Sequence, residues 1–144
     1  MIVAAAGLFA WWRTRPRLSE AEQIEVVISR IEEGIEAKSP QQVLSQVSEE
    51  YSDTWGITYE KARLLSRRVL REPERIRVDI LDYKGPTIQG DFADLELSVH
   101  ASVLSGENPI TEVEGNVELV LRKERKGWKV INAQGWQQWV EGAE

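Results

Sequence analysis

The side chains best suited to chemistry lie between Tyr51 and Tyr59, where Tyr51, Asp53, Trp55 and Tyr59 follow one another closely. Apolar neighbours such as Tyr51, Trp55 and Ile57 can raise the proton affinity of the Asp53 carboxyl, as a general base needs. Tyrosine and tryptophan also rim pockets, since each joins an apolar body to a polar tip. The competing reading is structural, and the sequence favours it: aspartate in such a segment more often orders a turn, and aromatic residues more often pack in a core. Asp53 is thus the candidate catalytic residue, and Tyr51, Asp53, Trp55, Tyr59 and, further on, Trp128 are the candidate pocket residues. His100 is the only side chain here that titrates near neutrality when unperturbed. It shares an alternating polar face with Glu96 and Ser98, so a wet or subunit-facing position is expected.

Several chemistries are excluded or disfavoured. Cysteine is absent, which removes disulfides and thiolate catalysis, and a single histidine makes a zinc site unexpected. No glycine-rich phosphate cradle and no nucleophile elbow occurs, so no cofactor is expected. Glu32, Glu33 and Glu36 read as a solvated helix face and Glu49-Glu50 as a loop edge. Three of the 18 basic residues, Arg13, Arg15 and Arg17, fall in the first seventeen positions, so the rest is more acidic than the net charge of −6 suggests. An acidic body repels phosphate backbones, and nucleic acid is not an expected partner.

The elements that must position these residues follow from periodicity. At 144 residues the chain fits one domain with one core. Ser19-Glu20-Ala21-Glu22 is a capping-box pattern, and Ile24, Ile28, Ile31 and Ile35 recur at helical spacing to about Lys38. Ser39-Pro40 starts a short second helix through Val43, Leu44 and Val47. Thr58 caps a third, with Ala62, Leu65 and Val69 on one face and Pro73 as its stop. From Arg75 the period becomes two: Ile76, Val78 and Ile80 alternate, Gly85-Pro86 predicts a bend or bulge, and a turn follows near Gly90-Asp91. Ala93, Leu95, Leu97, Val99, Ala101 and Val103 share one face of the next strand, opposite Asp94, Glu96, Ser98, His100 and Ser102. Ser105 to Pro109 turns the chain, then Val113, Gly115, Val117, Leu119 and Leu121 alternate. A charged hairpin over Lys123 to Gly127 leads to Trp128 and Val130. The fold class is α+β, three helices packed on a curved four-stranded antiparallel sheet.

The first seventeen residues form a separate object. Met1 to Trp12 contain no charged side chain, and Trp11-Trp12 run into Arg13, Arg15 and Arg17. Aromatic residues beside arginines suit a membrane interface, but the run is short of the ~20 apolar residues a span needs. It reads as part of a membrane anchor. The domain boundaries expected are 1–17 for this tail and 18–144 for the folded body, membrane-associated, with the arginines favouring the cytoplasmic face.

The order of elements, the segment Glu49-Glu50-Tyr51-Ser52-Asp53 and the ending Gly127-Trp128-Lys129-Val130-Ile131-Asn132-Ala133 resemble the nuclear transport factor two-like superfamily, the SnoaL-like, cystatin-like cone. The resemblance runs from Ser19 to about Trp136. It implies a sheet curved around the helices, an interior pocket used for isomerisation, cyclisation, dehydration or binding, and homodimers through the outer sheet face. It also implies a general base near Asp53. The chain departs from the catalytic patterns: the helix from Glu20 to Lys38 has no tyrosine oxyanion donor, and one histidine cannot supply a histidine pair. The expected function is therefore a noncatalytic module, tethered at a membrane, that binds a hydrophobic small molecule or a protein. The alternative is a small isomerase, cyclase or dehydratase acting on a hydrophobic molecule, with Asp53 and Tyr51 or Tyr59.

Overall fold

The computed structural model describes residues 18–140. The tail of residues 1–17, on which the anchor reading rests, lies outside them. Helix α1 spans Glu20–Glu36 and opens with the expected capping box: Glu22 N donates to Ser19 Oγ at 3.1 Å and Ser19 N to Glu22 Oε1 at 3.2 Å. It buries Ile24, Val27 and Ile28. Helix α2 is one turn, Pro40–Leu44, with Ser39 as its cap. It packs closely on α1, since a Cβ added at Gly34 would lie 2.9 Å from Val43 Cγ2. Helix α3, Tyr59–Arg71, is capped by Thr58 and carries Arg68 and Arg71 in its last turn, where cations complement the helix dipole. Among the described residues no helix is long and apolar enough to cross a membrane.

Four strands follow: β1 (Arg75–Gln89), β2 (Phe92–Ser105), β3 (Asn108–Glu124) and β4 (Gly127–Gln134). They pair antiparallel in the order β1-β2-β3-β4. Register shifts at Ile80/Asp82, Lys84/Thr87, Val103/Leu104 and Val120/Leu121 mark bulges. Bulges bend long strands and raise their twist, which lets strands of 14 to 17 residues curl around the helices. The inner face carries Ile76, Val78, Leu95, Leu97, Val99, Val117, Leu119 and Val130 against Ile24, Ile28, Leu65 and Leu70. The outer face is mainly polar. His100 sits there, half-buried, with its Nε2 3.8 Å from Glu112 Oε1.

Three details depart from the sequence reading and one bears it out. Helix α1 stops at Glu36, and Lys38 adopts a φ of 56° while Ser39 N donates to the Gly34 carbonyl. Val47 lies beyond α2 and bridges Val130, because Ser48 N and the Gln46 carbonyl bond β4 instead of continuing the helix. The bend or bulge expected at Gly85-Pro86 is present as the register shift between Lys84 and Thr87, which β1 accommodates as an edge strand. The turn expected over Ser105 to Pro109 is only Gly106-Glu107, with Pro109 already paired to Leu104. Proline is tolerated there because β4 pairs only with Glu118–Glu124, leaving the first half of β3 as an edge.

After β4, Gly135 takes a φ of 103°, and a Cβ there would collide with the Asn116 carbonyl. Only glycine fits. The turn it makes directs a short 3-10 helix, Gln137–Trp139, across the inner side of the sheet, so that a Cβ at Gly115 would touch Trp139 Cζ2 at 3.3 Å.

Candidate functional site

Between the helices and the concave sheet lies a cavity of about 410 Å³. Its size falls in the ~300–1,000 Å³ range of small-molecule pockets. Ile28, Ile31 and Ile35 of α1 form one wall, Ala62, Leu65 and Val69 of α3 another, and Leu97, Val99, Val117 and Leu119 the sheet side. Trp136, Trp139 and Val140 contribute from the C-terminal segment. The helical stripes and the inner strand faces that the sequence marks as core thus line a space as well as pack against each other.

The residues singled out for chemistry are placed differently from one another. Tyr51 is buried and its ring lines the cavity. Asp53, two residues on, is not part of the wall; its carboxylate is turned into a hydrogen-bonded knot. Asp53 Oδ1 accepts from Trp55 N at 2.9 Å and Ile57 N at 3.2 Å, closing the loop 53–57 on itself. Asp53 Oδ2 accepts from the Tyr51 hydroxyl at 2.7 Å and from Gln137 Nε2 at 3.0 Å. Trp55 stands 53% exposed at the loop tip, away from the cavity. Tyr59 packs on the core from the first turn of α3 but does not reach the cavity wall. Trp128 is buried in the core, also outside the wall, and its indole N–H has no partner among the described residues. Of the five candidate pocket residues, only Tyr51 faces the space.

The knot extends through Gln137, which is 2% exposed. Its Nε2 also donates to the Ala133 carbonyl at 2.8 Å, and its Oε1 accepts from Gly135 N at 2.9 Å. Trp136 Nε1 donates to the Tyr51 hydroxyl at 3.2 Å. Asp53 therefore ties the loop after α2 to the segment that follows β4, and holds Trp136 at the cavity. Burial, and then the bond to Asp53, push the Tyr51 hydroxyl well above its ordinary value, so it stays a donor. A general base needs a lone pair facing its substrate. Four protein donors already occupy the Asp53 carboxylate, and Asp53 is not part of the cavity wall. Among the described residues no group of His, Cys, Asp or Glu could hold a metal ion.

Sequence reasoning missed Gln137, Trp139 and Glu32. The first two depend on the turn at Gly135, which no periodic pattern announces. Glu32, assigned above to a solvated face, lines the cavity. Its position four residues after Ile28 and three before Ile35 was the available signal.

The arrangement of the described residues, three helices against a bulged antiparallel meander with an apolar interior, is similar in fold to solved structures of nuclear transport factor 2-like proteins. A candidate aromatic ring hydroxylase from Novosphingobium aromaticivorans matches with a TM-score of 0.70 and 16% identity, over 83% of this chain and 89% of that one. A nuclear transport factor 2-like superfamily protein from Salmonella enterica matches at 0.66 and 16%, over 79% and 87%. A candidate dehydratase of that family from Streptomyces avermitilis matches at 0.67 and 15%, over 79% and 92%. At these identities the likeness speaks for the fold. No protein-family model and no curated protein matches the sequence.

Proposed function

We propose that this domain is a noncatalytic binding module whose cone takes up a hydrophobic small molecule. The observation that carries this reading is the cavity of about 410 Å³, walled by aliphatic side chains and by Trp136 and Trp139. Such a space removes apolar ligand surface from water at ~25 cal/mol per Å². Enzymatic use of the same space would require an acid and a base facing it, and Asp53, the candidate base, is occupied by four protein donors. The names of the neighbours cited above include a hydroxylase and a dehydratase, which is consistent with small molecules entering this type of cone. The apolar, arginine-flanked residues 1–17 are read as holding the module at a membrane.

The test is a titration with decanol followed by tryptophan fluorescence, since two indoles border the cavity. Saturable quenching or a shift in emission is expected. Ala62→Phe projects a ring into the space from α3 and should abolish the response while the domain still melts cooperatively. No saturable response from the wild type would refute the reading.

A further inference from the structure

Glu32 is the one charged side chain among the described residues that line the cavity. It stands among Ile28, Ile31 and Ile35 on α1, half-buried, and its carboxylate has no hydrogen-bond or ion-pair partner among the described residues. Burial raises its proton affinity, and Glu36, Asp79 and Glu33 raise it further by adding negative charge around it. Two other polar groups of the wall are satisfied within the protein. Ser66 Oγ donates to the Arg63 carbonyl at 3.0 Å, and the Tyr51 hydroxyl donates to Asp53. Thr111 adds a neutral hydroxyl at an exposed part of the wall, so the one charged contact that the cavity offers a ligand is anionic and set beside an apolar interior. An unpaired carboxylate at such a border is costly, and a cationic donor beside it is the strongest compensation available.

We propose that the cone selects amphiphiles that join an apolar body to a single protonated amine, the body filling the cavity and the ammonium pairing with Glu32. This inference rests on the ligand-binding reading above. A neutral head group forgoes the ion pair, and an acidic one meets four carboxylates.

Three probes with one chain length separate the two readings: decylamine, decanol and decanoate, each titrated below its micelle concentration into the full-length protein. Near pH 8 an alkylamine is protonated, and that pH lies well above the ordinary carboxyl range. Decylamine is expected to bind about tenfold more tightly than decanol, equivalent to about 1.4 kcal/mol, and decanoate more weakly than decanol. Glu32→Gln should bring the amine to within about twofold of the alcohol while leaving the affinity for the alcohol unchanged. Glu33→Gln removes the same charge from an exposed position one residue on. It should leave the preference intact. An amine that binds no better than the alcohol, or an equal loss of preference in Glu33→Gln, overturns selection by Glu32 and leaves the cavity as a binding site. Failure of all three probes to bind overturns the cavity reading and this inference together.

Discussion

Asp53→Asn separates a structural carboxylate from a catalytic one, because it keeps the shape and one oxygen while removing the charge. The amide oxygen can stay with the loop, accepting from Trp55 N and Ile57 N as Oδ1 does now at 2.9 and 3.2 Å. The amide nitrogen then replaces Oδ2 and faces two donors. The Tyr51 hydroxyl can swing toward the Ala133 carbonyl, 3.2 Å away. Gln137 has no such freedom, since its Oε1 is held by Gly135 N and its Nε2 by the Ala133 carbonyl. One charge-assisted bond is lost outright and two amide nitrogens are brought together, which costs about 2–4 kcal/mol. At roughly 3–5 °C per kcal/mol for a domain of this size, the melting temperature should fall by roughly 10 °C. Decanol affinity should stay within about twofold, because Asp53 is not part of the cavity wall. The assay is a thermal melt beside the fluorescence titration, wild type against variant. A melt unchanged within about 2 °C would refute the structural role. Loss of ligand binding or of a turnover at an unchanged melt would place Asp53 against the ligand and restore the enzyme reading.

Two further outcomes are expected. The Tyr51 hydroxyl keeps its proton in the folded state, through burial and the bond to Asp53, well above the unfolded value of 10.0. Folding stability is therefore undiminished below that pH and declines as pH rises above it, because the unfolded chain ionises more readily; melts from pH 7 to about 11 should show the decline, and Tyr51→Phe should flatten it. Leu97, 5% exposed, and its neighbour Ser98 lie on opposite faces of β2. Leu97→Ala should cost about 2–3 kcal/mol, at the low end for a buried leucine because one side already borders the cavity, and Ser98→Ala should cost within about 0.5 kcal/mol. Equal losses in urea unfolding would mean that the register of β2 is wrong.

The strands and helix starts were legible because local physics and tertiary packing agree at those places. In β2, Ala93, Leu95, Leu97 and Val99 are all buried, as their alternation requires. Ser19, Ser39 and Thr58 all cap the helices that they precede. Reading failed where a distant partner overruled a local signal. Val47 fits the helical spacing of Val43 and Leu44, yet the backbone from Gln46 to Ser48 bonds β4. Pro109 belongs to β3 only because the shorter β4 leaves that stretch unpaired on its other side. None of these partners can be seen in a window of ten residues.

The candidate site was misread for a different reason. Polar and aromatic residues gathered around Asp53 drew attention to that loop, but a carboxylate rich in donors is a carboxylate already satisfied, and what it holds is backbone. The more telling pattern is a polar residue at the border of an apolar helical stripe. At about 100° per residue, Glu32 lies about 40° around α1 from Ile28 and about 60° from Ile35, at the edge of the stripe that Ile24, Ile28, Ile31 and Ile35 form. Ser66 holds the same place on α3 relative to Ala62 and Val69. The two border residues differ in what they leave open. Serine is short enough to turn its hydroxyl back onto the Arg63 carbonyl, so its polarity is absorbed by the helix itself. The Glu32 carboxylate has only donors to seek, and an intact helix offers no free donor within its reach, so the charge is left at the cavity for whatever enters.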